Sequence, residues 1–553
     1  MPLGPMEVGG KMTTMLGGTG GIALTELLKD GHKHFQGIDE AVAKNIEACK
    51  KLSTITRTSI GPNGMNKMVV NHLGKLFVTN DAATIVKEME VIHPAAKLVA
   101  LASQTQKEEI GDTTNLVVVL AGTLLEGAEA LLRQGLPIAD IIAGYTKAYR
   151  ACLTHIDSLS VKSIENIRSE EEVSNALRAT VCSKQNGLED FLCPLIAKAC
   201  VQIVPKEASQ FNVDNVRVAK IQGMSVYDSF LVKGFVLTRD SEGTIKHVTD
   251  AKIVVFGTEV DLSATETKGN VLIKNAEELM NYSKSEEEAI EKIVQEIAAT
   301  GVNVLVAQST ISEMSLHFLE RAKIMVIKCP SKFEIARLCK LSGATSLARF
   351  GAPLPEEIGK ADRVSVDELG GQPCTTFVRD SLEQTKVSTI ILRASTSNHL
   401  DDLSRAIDNG VNIYKQMTKD SRFVAGGGAC ELRMAAHLKE MGGKTPGLEQ
   451  YAIKKYAEAL ETIPRTLAEN AGQDTTSTIS NLYADHTAGK LNHGINIDSP
   501  GTRDMLEASI LDHLVSKKEA MRLASEAAIT VLRVDTIIMA RQSGGPDPNR
   551  APG

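Results

Sequence analysis

Apolar residues recur at helical spacing near both ends of the chain. Within residues 39–56 they return every three or four positions, and Asp39 stands where a helix cap would. That stripe consists of Val42, Ile46, Cys49, Leu52 and Ile55. The same spacing predicts further helices over residues 94–110, 112–134, 138–157, 430–441, 447–471, 504–511 and 516–530.

The middle of the chain has a different pattern. Residues 252–257, 303–307 and 324–328 are short runs of β-branched and aliphatic residues, which are typical of buried strands. Helical patterns at 312–322 and 332–341 follow the last two runs. Such alternation predicts a parallel sheet with helices packed against it. Because helical blocks flank this α/β unit, we expect the two ends of the chain to pack together as one discontinuous domain.

Composition narrows the class of protein. The chain has 553 residues, of which 43% are hydrophobic and 23% charged, as in globular proteins. A net charge of −7 argues against a general nucleic-acid binder, and the scarcity of aromatic residues (4%, no tryptophan) argues against a base-stacking surface. No run of about 18 apolar residues predicts a membrane span, and the first residues do not resemble a secretory signal. Nine cysteines at irregular spacing, without a CxxC pair, are typical of reduced thiols in the cytoplasm rather than of disulfides or a zinc site.

A glycine–aspartate turn between two predicted helices is the first candidate site. It comprises residues 111–115, GDTTN, and opens a helix whose free N–H groups and dipole favour a phosphate. Asp112 adds a carboxylate of the kind that Mg²⁺ prefers beside phosphate oxygens. Taken alone, the same residues also fit a plain helix–turn–helix in which Asp112 caps the second helix.

Three further turns carry candidate chemistry, and each also has a purely structural interpretation. Residues 61–67 form a glycine turn without the spacing or the final Ser or Thr of a Walker motif, so they also fit a tight turn between helices. Asp81 follows a predicted strand at 75–79 and would either orient a water or cap a helix. The three glycines at 426–428 would either let a ligand approach the backbone or form a flexible joint.

In their order along the chain, these turns resemble the pattern of the group II chaperonins. The resemblance covers nearly the whole chain and is carried by residues 61–62, 75–85, 111–115, 391–396, 426–429, 468–472 and 532–538. Other strings resemble one particular subunit type of the eukaryotic cytosolic chaperonin, the TCP-1 ring complex. Those strings are residues 80–84, 212–218, 266–269 and 447–455.

The resemblance implies an α/β multidomain chaperonin fold, with a helical protrusion at about 264–292 on its apical domain. The implied bounds are 1–157 and 418–553 for a helical equatorial domain, 158–224 and 384–417 for a small intermediate domain, and 225–383 for an α/β apical domain that binds substrate. It implies an ATP-driven molecular chaperone in the cytoplasm that folds proteins of the actin and tubulin class. Its partners would be seven paralogous subunits in two stacked eight-membered rings, and non-native client proteins.

By the same resemblance, ATP and Mg²⁺ are the ligands. The nucleotide-binding residues would be Ile60, Gly61, Thr113, Thr114, Asn115, Leu116, Cys182, Ser183, Lys184, Gly427, Gly428 and Asp512. Asp112 would bind Mg²⁺, Lys184 would sense the γ-phosphate and Asp512 would meet the ribose. Asp81 matches one of two hydrolytic carboxylates that orient the attacking water. The second belongs to the intermediate domain, so that closure of this domain would complete the site.

Two residues depart from the family pattern. Thr113 replaces a glycine of the phosphate loop, where a β-branched residue resists positive φ and adds bulk near the ligand, so it would weaken binding or only reshape the turn. Asn409 stands at the position of the second hydrolytic carboxylate. An amide can hydrogen-bond a water but cannot accept its proton. The adjacent Asp408 would point about 100° away on a helix, so we hypothesise that this chain binds Mg-ATP but hydrolyses it slowly.

Three classes of function compete on these observations. The first is an ATP-hydrolysing chaperonin subunit, and the second is a ring scaffold that binds nucleotide and client without turnover. Asn409 is the residue that separates these two. The third is a soluble small-molecule kinase, which predicts a Walker motif or a kinase-type catalytic loop with a paired lysine. The sequence contains neither, so the chaperonin interpretation is favoured.

Overall fold

A computed structural model describes residues 33–35, 38–261, 276–380 and 386–539 of the protein. Its amino-terminal part is mostly helical, which confirms the helices predicted there. Asp39 lies inside the first helix rather than at its cap, and Ile55 of the predicted apolar stripe is 41% exposed. The elements are β1 (Lys33–Phe35), α1 (Ile38–Arg57), β2 (Lys67–Val70), β3 (Leu76–Thr79), α2 (Ala82–Glu88), α3 (Pro94–Glu109), α4 (Thr114–Arg133), α5 (Ile138–His155) and β4 (Ser160–Ser163).

The middle of the chain is an α/β region. It comprises α6 (Glu170–Cys182), α7 (Glu189–Ile203), β5 (Val216–Gln222), β6 (Phe230–Val232), β7 (Gly234–Leu237), β8 (His247–Phe256), α8 (Ala276–Ala299), β9 (Val304–Ala307), α9 (Glu313–Arg321), β10 (Met325–Lys328), α10 (Lys332–Ser342), β11 (Ser346–Leu347), β12 (Gly359–Leu369), β13 (Gln372–Val378), β14 (Ser388–Ala394) and α11 (Ser397–Met417). Strands β10, β9 and β8 pair in parallel, with Val304 opposite both Met325 and Ile253, which confirms the predicted parallel sheet. Beyond β8 the sheet continues through β12, β13 and β7 in antiparallel pairing.

The carboxyl-terminal part returns to helices. Its elements are β15 (Arg422–Ala425), α12 (Ala429–Lys444), α13 (Glu449–Asn470), α14 (Thr475–Thr487), β16 (His493–Ile495), β17 (Thr502–Asp504), β18 (Leu511–His513), α15 (Leu514–Leu532) and β19 (Ile537–Met539). The helix predicted over 504–511 is wrong. The Asp504 carboxylate accepts the Leu506 N–H at 2.8 Å and Ser509 has a φ of 55°, so this segment folds into a turn between two strands.

Buried apolar residues form separate cores. The largest draws on residues 42–159 and 424–532, so the two helical ends of the chain share one core. A second core draws mainly on residues 164–226 and 390–417. The α/β sheet has its own cores, formed by residues between 235 and 387. The assignment of these parts to equatorial, intermediate and apical domains stays a prediction.

Two segments bear on the predictions about a membrane span and a helical protrusion. Among the described helices, α4 alone is long and apolar enough to cross a membrane by length and composition. Its most apolar window is 67% buried inside the protein, as in a core helix, so it is weak evidence for a membrane span. The protrusion predicted at 264–292 lies partly outside the described residues, which resume at Ala276 with α8.

Candidate functional site

A cavity of about 350 Å³ lies where the turn between α1 and β2 meets the amino terminus of α4 and the carboxyl end of α6. The loop after β15 and the hairpin of β16 and β17 form further walls. Each predicted nucleotide-binding residue lines this cavity, as does the predicted metal ligand. They are Ile60, Gly61, Asp112, Thr113, Thr114, Asn115, Leu116, Cys182, Ser183, Lys184, Gly427, Gly428 and Asp512. The two predicted catalytic positions, Asp81 and Asn409, are buried next to it rather than in its lining.

The first turn of α4 presents uncapped N–H groups at the wall of the cavity. Thr113 is the N-cap, with a left-handed φ of 63°, and within the described chain no side chain caps the N–H groups that follow. The interpretation of Asp112 as a plain helix cap is therefore wrong. Despite its branched side chain, Thr113 holds the left-handed conformation, and the Gln106 amide donates to Thr113 Oγ1 at 2.7 Å. Uncapped N–H groups at a helix amino terminus favour phosphate.

The side chains of Thr114 and Asn115 form hydrogen bonds within the protein. Thr114 donates its hydroxyl to Asp81 Oδ1 at 2.8 Å. Asn115 donates to the carbonyls of Ser59 and Asn80 at 3.0 and 2.9 Å, while its Oδ1 accepts the Ala82 N–H at 2.9 Å. These bonds fix α4 to the turn and to the start of α2. A nucleotide at these positions would therefore meet backbone N–H groups rather than the two side chains.

Asp81 is a buried carboxylate surrounded by donors. It caps α2 through the Thr84 N–H, and its Oδ2 also lies 2.5 Å from Lys107 Nζ. Lys184 Nζ lies 3.8 Å from Oδ1. Burial alone would raise the pKa of Asp81, but Lys184, Lys107 and the hydrogen bonds outweigh it and lower the pKa far below its usual range. Asp81 is therefore both a helix cap and a carboxylate whose ionised form is strongly favoured beside the cavity.

The loop after α6 brings Ser183 and Lys184 against the wall of the cavity. Asn80 donates to the Ser183 carbonyl at 3.1 Å, which ties this loop to the residue before Asp81. The Lys184 side chain is 8% exposed, so its charge acts in a poorly solvated place. Cys182, at the end of α6, lies in the same wall, and burial raises the pKa of its thiol to about 11. This cysteine is accordingly a neutral lining residue.

The acidic side chains near Asp112 fit the predicted metal. Burial raises the pKa of Asp112, as do the neighbouring charges of Asp512 and Asp81, while Lys184 and the Thr113 N–H lower it. A divalent cation would relieve the repulsion among these carboxylates. Among the described residues no cluster of three or more metal-ligating side chains occurs. Mg²⁺ suits such a place, because it commonly takes one or two carboxylates and completes its shell with phosphates and water.

Asn409 contacts the phosphate-loop turn. It is 5% exposed on α11, and its amide nitrogen lies 3.4 Å from Asp112 Oδ1. With the amide turned over, the nitrogen would instead donate to the Gly111 and Arg405 carbonyls at 2.8 and 3.2 Å. Asp408, one position earlier, is exposed. The structure therefore places an amide, and not a carboxylate, against the residue that would hold the metal.

Several lining residues are absent from the sequence prediction, and two of them are charged and buried. Lys517 forms an ion pair with Glu431 and lies 2.8 Å from Asp512 Oδ2. Burial would lower the pKa of Lys517, but Asp512 and Glu431 raise it above its ordinary range. The sequence did indicate that Lys517 is buried, because it lies at helical spacing from Leu514 and Met521, with which it shares the buried face of α15. The other missed lining residues include Arg178, Ile463, Leu467, Asn496, Asp498, Arg503 and Met505.

Comparison with known proteins identifies the family of this chain. Residues 52–542 match the model of the TCP-1/cpn60 chaperonin family. The chain is 51% identical to T-complex protein 1 subunit theta of Dictyostelium discoideum, over 95% of this chain and 98% of the relative. It is 50% identical to the proteins of that name from Mus musculus and Homo sapiens, over 95% of each chain. The resemblance to one subunit type, carried by short strings, is thereby confirmed, as is the chaperonin fold. The chain belongs to the TCP-1/cpn60 chaperonin family.

Proposed function

We propose that this molecular chaperone is ATP-dependent, binds Mg-ATP in the cavity beside α4, and acts as one subunit of a chaperonin ring. The observation that carries the proposal is the convergence of the family's nucleotide-site positions, from five separate stretches of the chain, on that one cavity. The uncapped amino terminus of α4 and the poorly solvated Lys184 supply what an anionic ligand needs.

Each wall of the cavity has a role in this proposal. The N–H groups of the first turn of α4 and the Lys184 ammonium would hold the phosphates. Asp112 would hold Mg²⁺, which would neutralise phosphate charge during hydrolysis. Asp512, fixed by Lys517, would accept hydrogen bonds from the ribose hydroxyls. Asp81 would orient the attacking water, since its Oδ1 faces both Thr114 and Lys184.

The proposed surroundings follow from the relatives. They are named as subunits of T-complex protein 1, so we expect this chain to assemble with related chains. We propose seven paralogous partners in two stacked eight-membered rings, in the cytoplasm, and non-native clients of the actin and tubulin class. Neither a nucleic acid nor a membrane is among the proposed partners.

A second candidate function is a subunit that holds nucleotide and turns it over slowly. Asn409 favours it, because an amide lies where the family's second hydrolytic carboxylate would stand. An amide can position a water but cannot take its proton. Binding depends on Asp112, Lys184 and α4, so it would persist when hydrolysis is slow.

A single-turnover experiment tests both candidates. Rings containing the native chain or Asn409→Asp, with all other subunits unchanged and the expected mass confirmed by native mass spectrometry, are loaded with limiting radiolabelled ATP. Restoring the carboxylate should raise the hydrolysis rate of the slowest-hydrolysing fraction of bound ATP about 10²-fold. This factor is the lower end of what a positioned base contributes.

Nucleotide binding is measured beside the rate in the same rings. Asp112→Asn should abolish Mg²⁺-dependent ATP binding by this subunit, whereas Asn409→Asp should leave affinity within about threefold, because Asn409 is assigned to chemistry rather than binding. A native chain that binds no ATP would overturn the proposed function. Unchanged rates in Asn409→Asp, with binding intact, would overturn only the slow-turnover candidate.

A further inference from the structure

Lys107 contacts the predicted hydrolytic carboxylate from outside the nucleotide cavity. It stands near the carboxyl end of α3, and its Nζ lies 2.5 Å from Asp81 Oδ2 and 2.7 Å from Thr84 Oγ1. Its side chain is 36% exposed, while Asp81 is 3% exposed. Lys107 is absent from the cavity lining and from the family's nucleotide motifs, so nothing in the proposed binding of ATP requires it.

The hydrogen-bonding capacity of Asp81 is almost filled. Its Oδ2 accepts from the Thr84 N–H at 3.2 Å, from the Thr84 hydroxyl at 2.6 Å and from Lys107. Its Oδ1 accepts from Thr114 and faces Lys184. An ionised carboxylate offers about four acceptor positions. A water that donates to Asp81 therefore finds room only at Oδ1, in competition with a lysine.

The cap of α2 does not explain the presence of Lys107. Thr84 alone, through its N–H and its hydroxyl, provides the bonds by which Asp81 caps that helix. Lys184 already supplies a positive charge on the cavity side. The second lysine adds a charge on the opposite oxygen, where it neither binds nucleotide nor completes the cap. What it changes is the capacity of Asp81 to attract a water proton.

We infer that Lys107 is a positioning residue that restrains ATP hydrolysis by this subunit, because its charge on Oδ2 holds Asp81 in an ion pair and weakens the attraction of that carboxylate for a water at Oδ1. The inference rests on the proposed function. In hydrolysis the water oxygen bonds to the γ-phosphorus, the bond to the β-phosphate oxygen breaks with its electron pair going to ADP, and the water proton passes to a nearby base. Lys107 and Asn409 would then act at the two carboxylate positions of the reaction, the first by weakening a base and the second by replacing one.

The test replaces Lys107 by Gln in rings that are otherwise unchanged. Single-turnover hydrolysis of the ATP bound to this subunit should rise about tenfold, a part of the 10²–10⁴-fold that a positioned base contributes. The ATP dissociation constant should stay within about twofold, because Lys107 is not part of the cavity lining. Lys107→Arg, which keeps the charge, should restore the slow rate. Lys97→Gln is the matched control, since Lys97 is an exposed lysine on the same helix.

Combining the variants sharpens the result. If both residues limit the same proton transfer, Lys107→Gln with Asn409→Asp should exceed the product of the single effects, because groups acting as a unit are not additive. A Lys107→Gln rate that equals or falls below the native rate, with ATP binding and ring mass intact, would overturn the inference, and a lower rate would show that Lys107 supports Asp81. Loss of ATP binding in the native chain is a different outcome and would count against the proposed function itself.

Discussion

One group of ion-paired side chains in the cavity lining consists of the buried Lys517 and Glu431 and the partly exposed Asp512. The Lys517 side chain is 7% exposed and Glu431 is 1% exposed, and one oxygen of Glu431 has no hydrogen-bond partner among the described residues. Charges out of water are tolerated only when they are paired. Since Asp512 is the third member, the residue predicted to meet the ribose is held by a structural ion pair.

Removing the lysine should therefore be expensive. Lys517→Met leaves two carboxylates without their counter-charge, and we expect a loss of about 3–5 kcal/mol, the usual effect of breaking a buried pair. The denaturation midpoint and hydrogen exchange of α15 measure it. Lys518→Met is the matched control, because its pair with Asp157 is more exposed and should contribute about 1 kcal/mol or less.

The double variant Lys517→Met/Glu431→Met separates charge from packing. It removes one unpaired carboxylate together with the lysine, so it should be less destabilised than Lys517→Met alone. Equal losses in the two variants would mean that packing around Lys517, and not its charge, sets its contribution.

Sequence motifs locate residues of the cavity lining where the motif is contiguous in sequence, and the binding of nucleotide by these residues stays a prediction. Residues 111–115 and Lys184 could be placed because glycine turns and family motifs mark them. Lys107 and Lys517 could not, since a lone lysine in a helix normally indicates a solvated face. Only the fold reveals that Asp81 and Glu431 lie opposite them.

At the scale of secondary-structure elements, the turn that precedes α4 packs tightly against the neighbouring helix α11. Gly111 has a φ of 92°, and a Cβ built on it would lie 2.3 Å from the Asn412 Cβ. A side chain here would therefore meet two obstacles, a left-handed backbone and a packed neighbour. The same helix α11 carries Asn409, so the turn that we propose binds phosphate and the predicted second catalytic position share one contact surface.

A pair of glycine variants measures that contact. Gly135, at the other end of α4, has a φ of 88° but open space around it, so Gly135→Ala should cost only the left-handed strain of about 1 kcal/mol. Gly111→Ala should cost about 1–3 kcal/mol more because of the clash with Asn412. Thermal unfolding midpoints and ATP titrations of both variants give the comparison. Unchanged ATP affinity in Gly111→Ala would argue against the phosphate role of this turn.

Prediction of elements depended on how regular their apolar spacing is. Helices α3, α4 and α5 were placed within two residues because their stripes and their flanking Gly or Pro are clear. Helix α14 was missed, since its sequence is rich in Thr and Ser and has little apolar periodicity. The false helix at 504–511 has such periodicity, but Asp504 binds the backbone of the next residues and turns the chain.

At the scale of the whole molecule, the chain passes twice between the large helical core and the second core. The two connecting segments lie side by side. The chain leaves the helical core through β4 and returns through β15, and these strands pair with each other. Strand β18 pairs with the other edge of β15 and leads directly into α15. A movement of one core relative to the other would therefore bend or shift this three-stranded sheet. The sheet borders the cavity near Gly427 and Asp512.

His513 links β18 to the start of α15 and to Asp420 at this joint. Its Nδ1 accepts the Ser516 N–H as the cap of α15, and its Nε2 donates to the Asp420 carbonyl at 2.8 Å. Burial lowers the pKa of His513, and Arg422 lowers it further, while the Asp420 carbonyl and carboxylate act in the opposite direction. The folded state therefore prefers the neutral ring, because a proton on Nδ1 would remove the cap of α15.

Acidification should loosen this joint before the rest of the helical core. The unfolded state takes up a proton on His513 near pH 6.5 whereas the folded state resists it, so its stabilising effect is present above about pH 6.5 and is lost as the pH falls below that value. Hydrogen exchange of β15, β18 and the first turn of α15, compared between pH 7.5 and pH 5.5, measures the loss.

His513→Asn keeps a side chain suited to capping but cannot titrate, so its exchange should change less between the two pH values. His247→Asn, at an exposed histidine of β8, controls for the removal of one imidazole. If the native chain and His513→Asn lose protection equally on acidification, His513 is not the group that links the joint to pH.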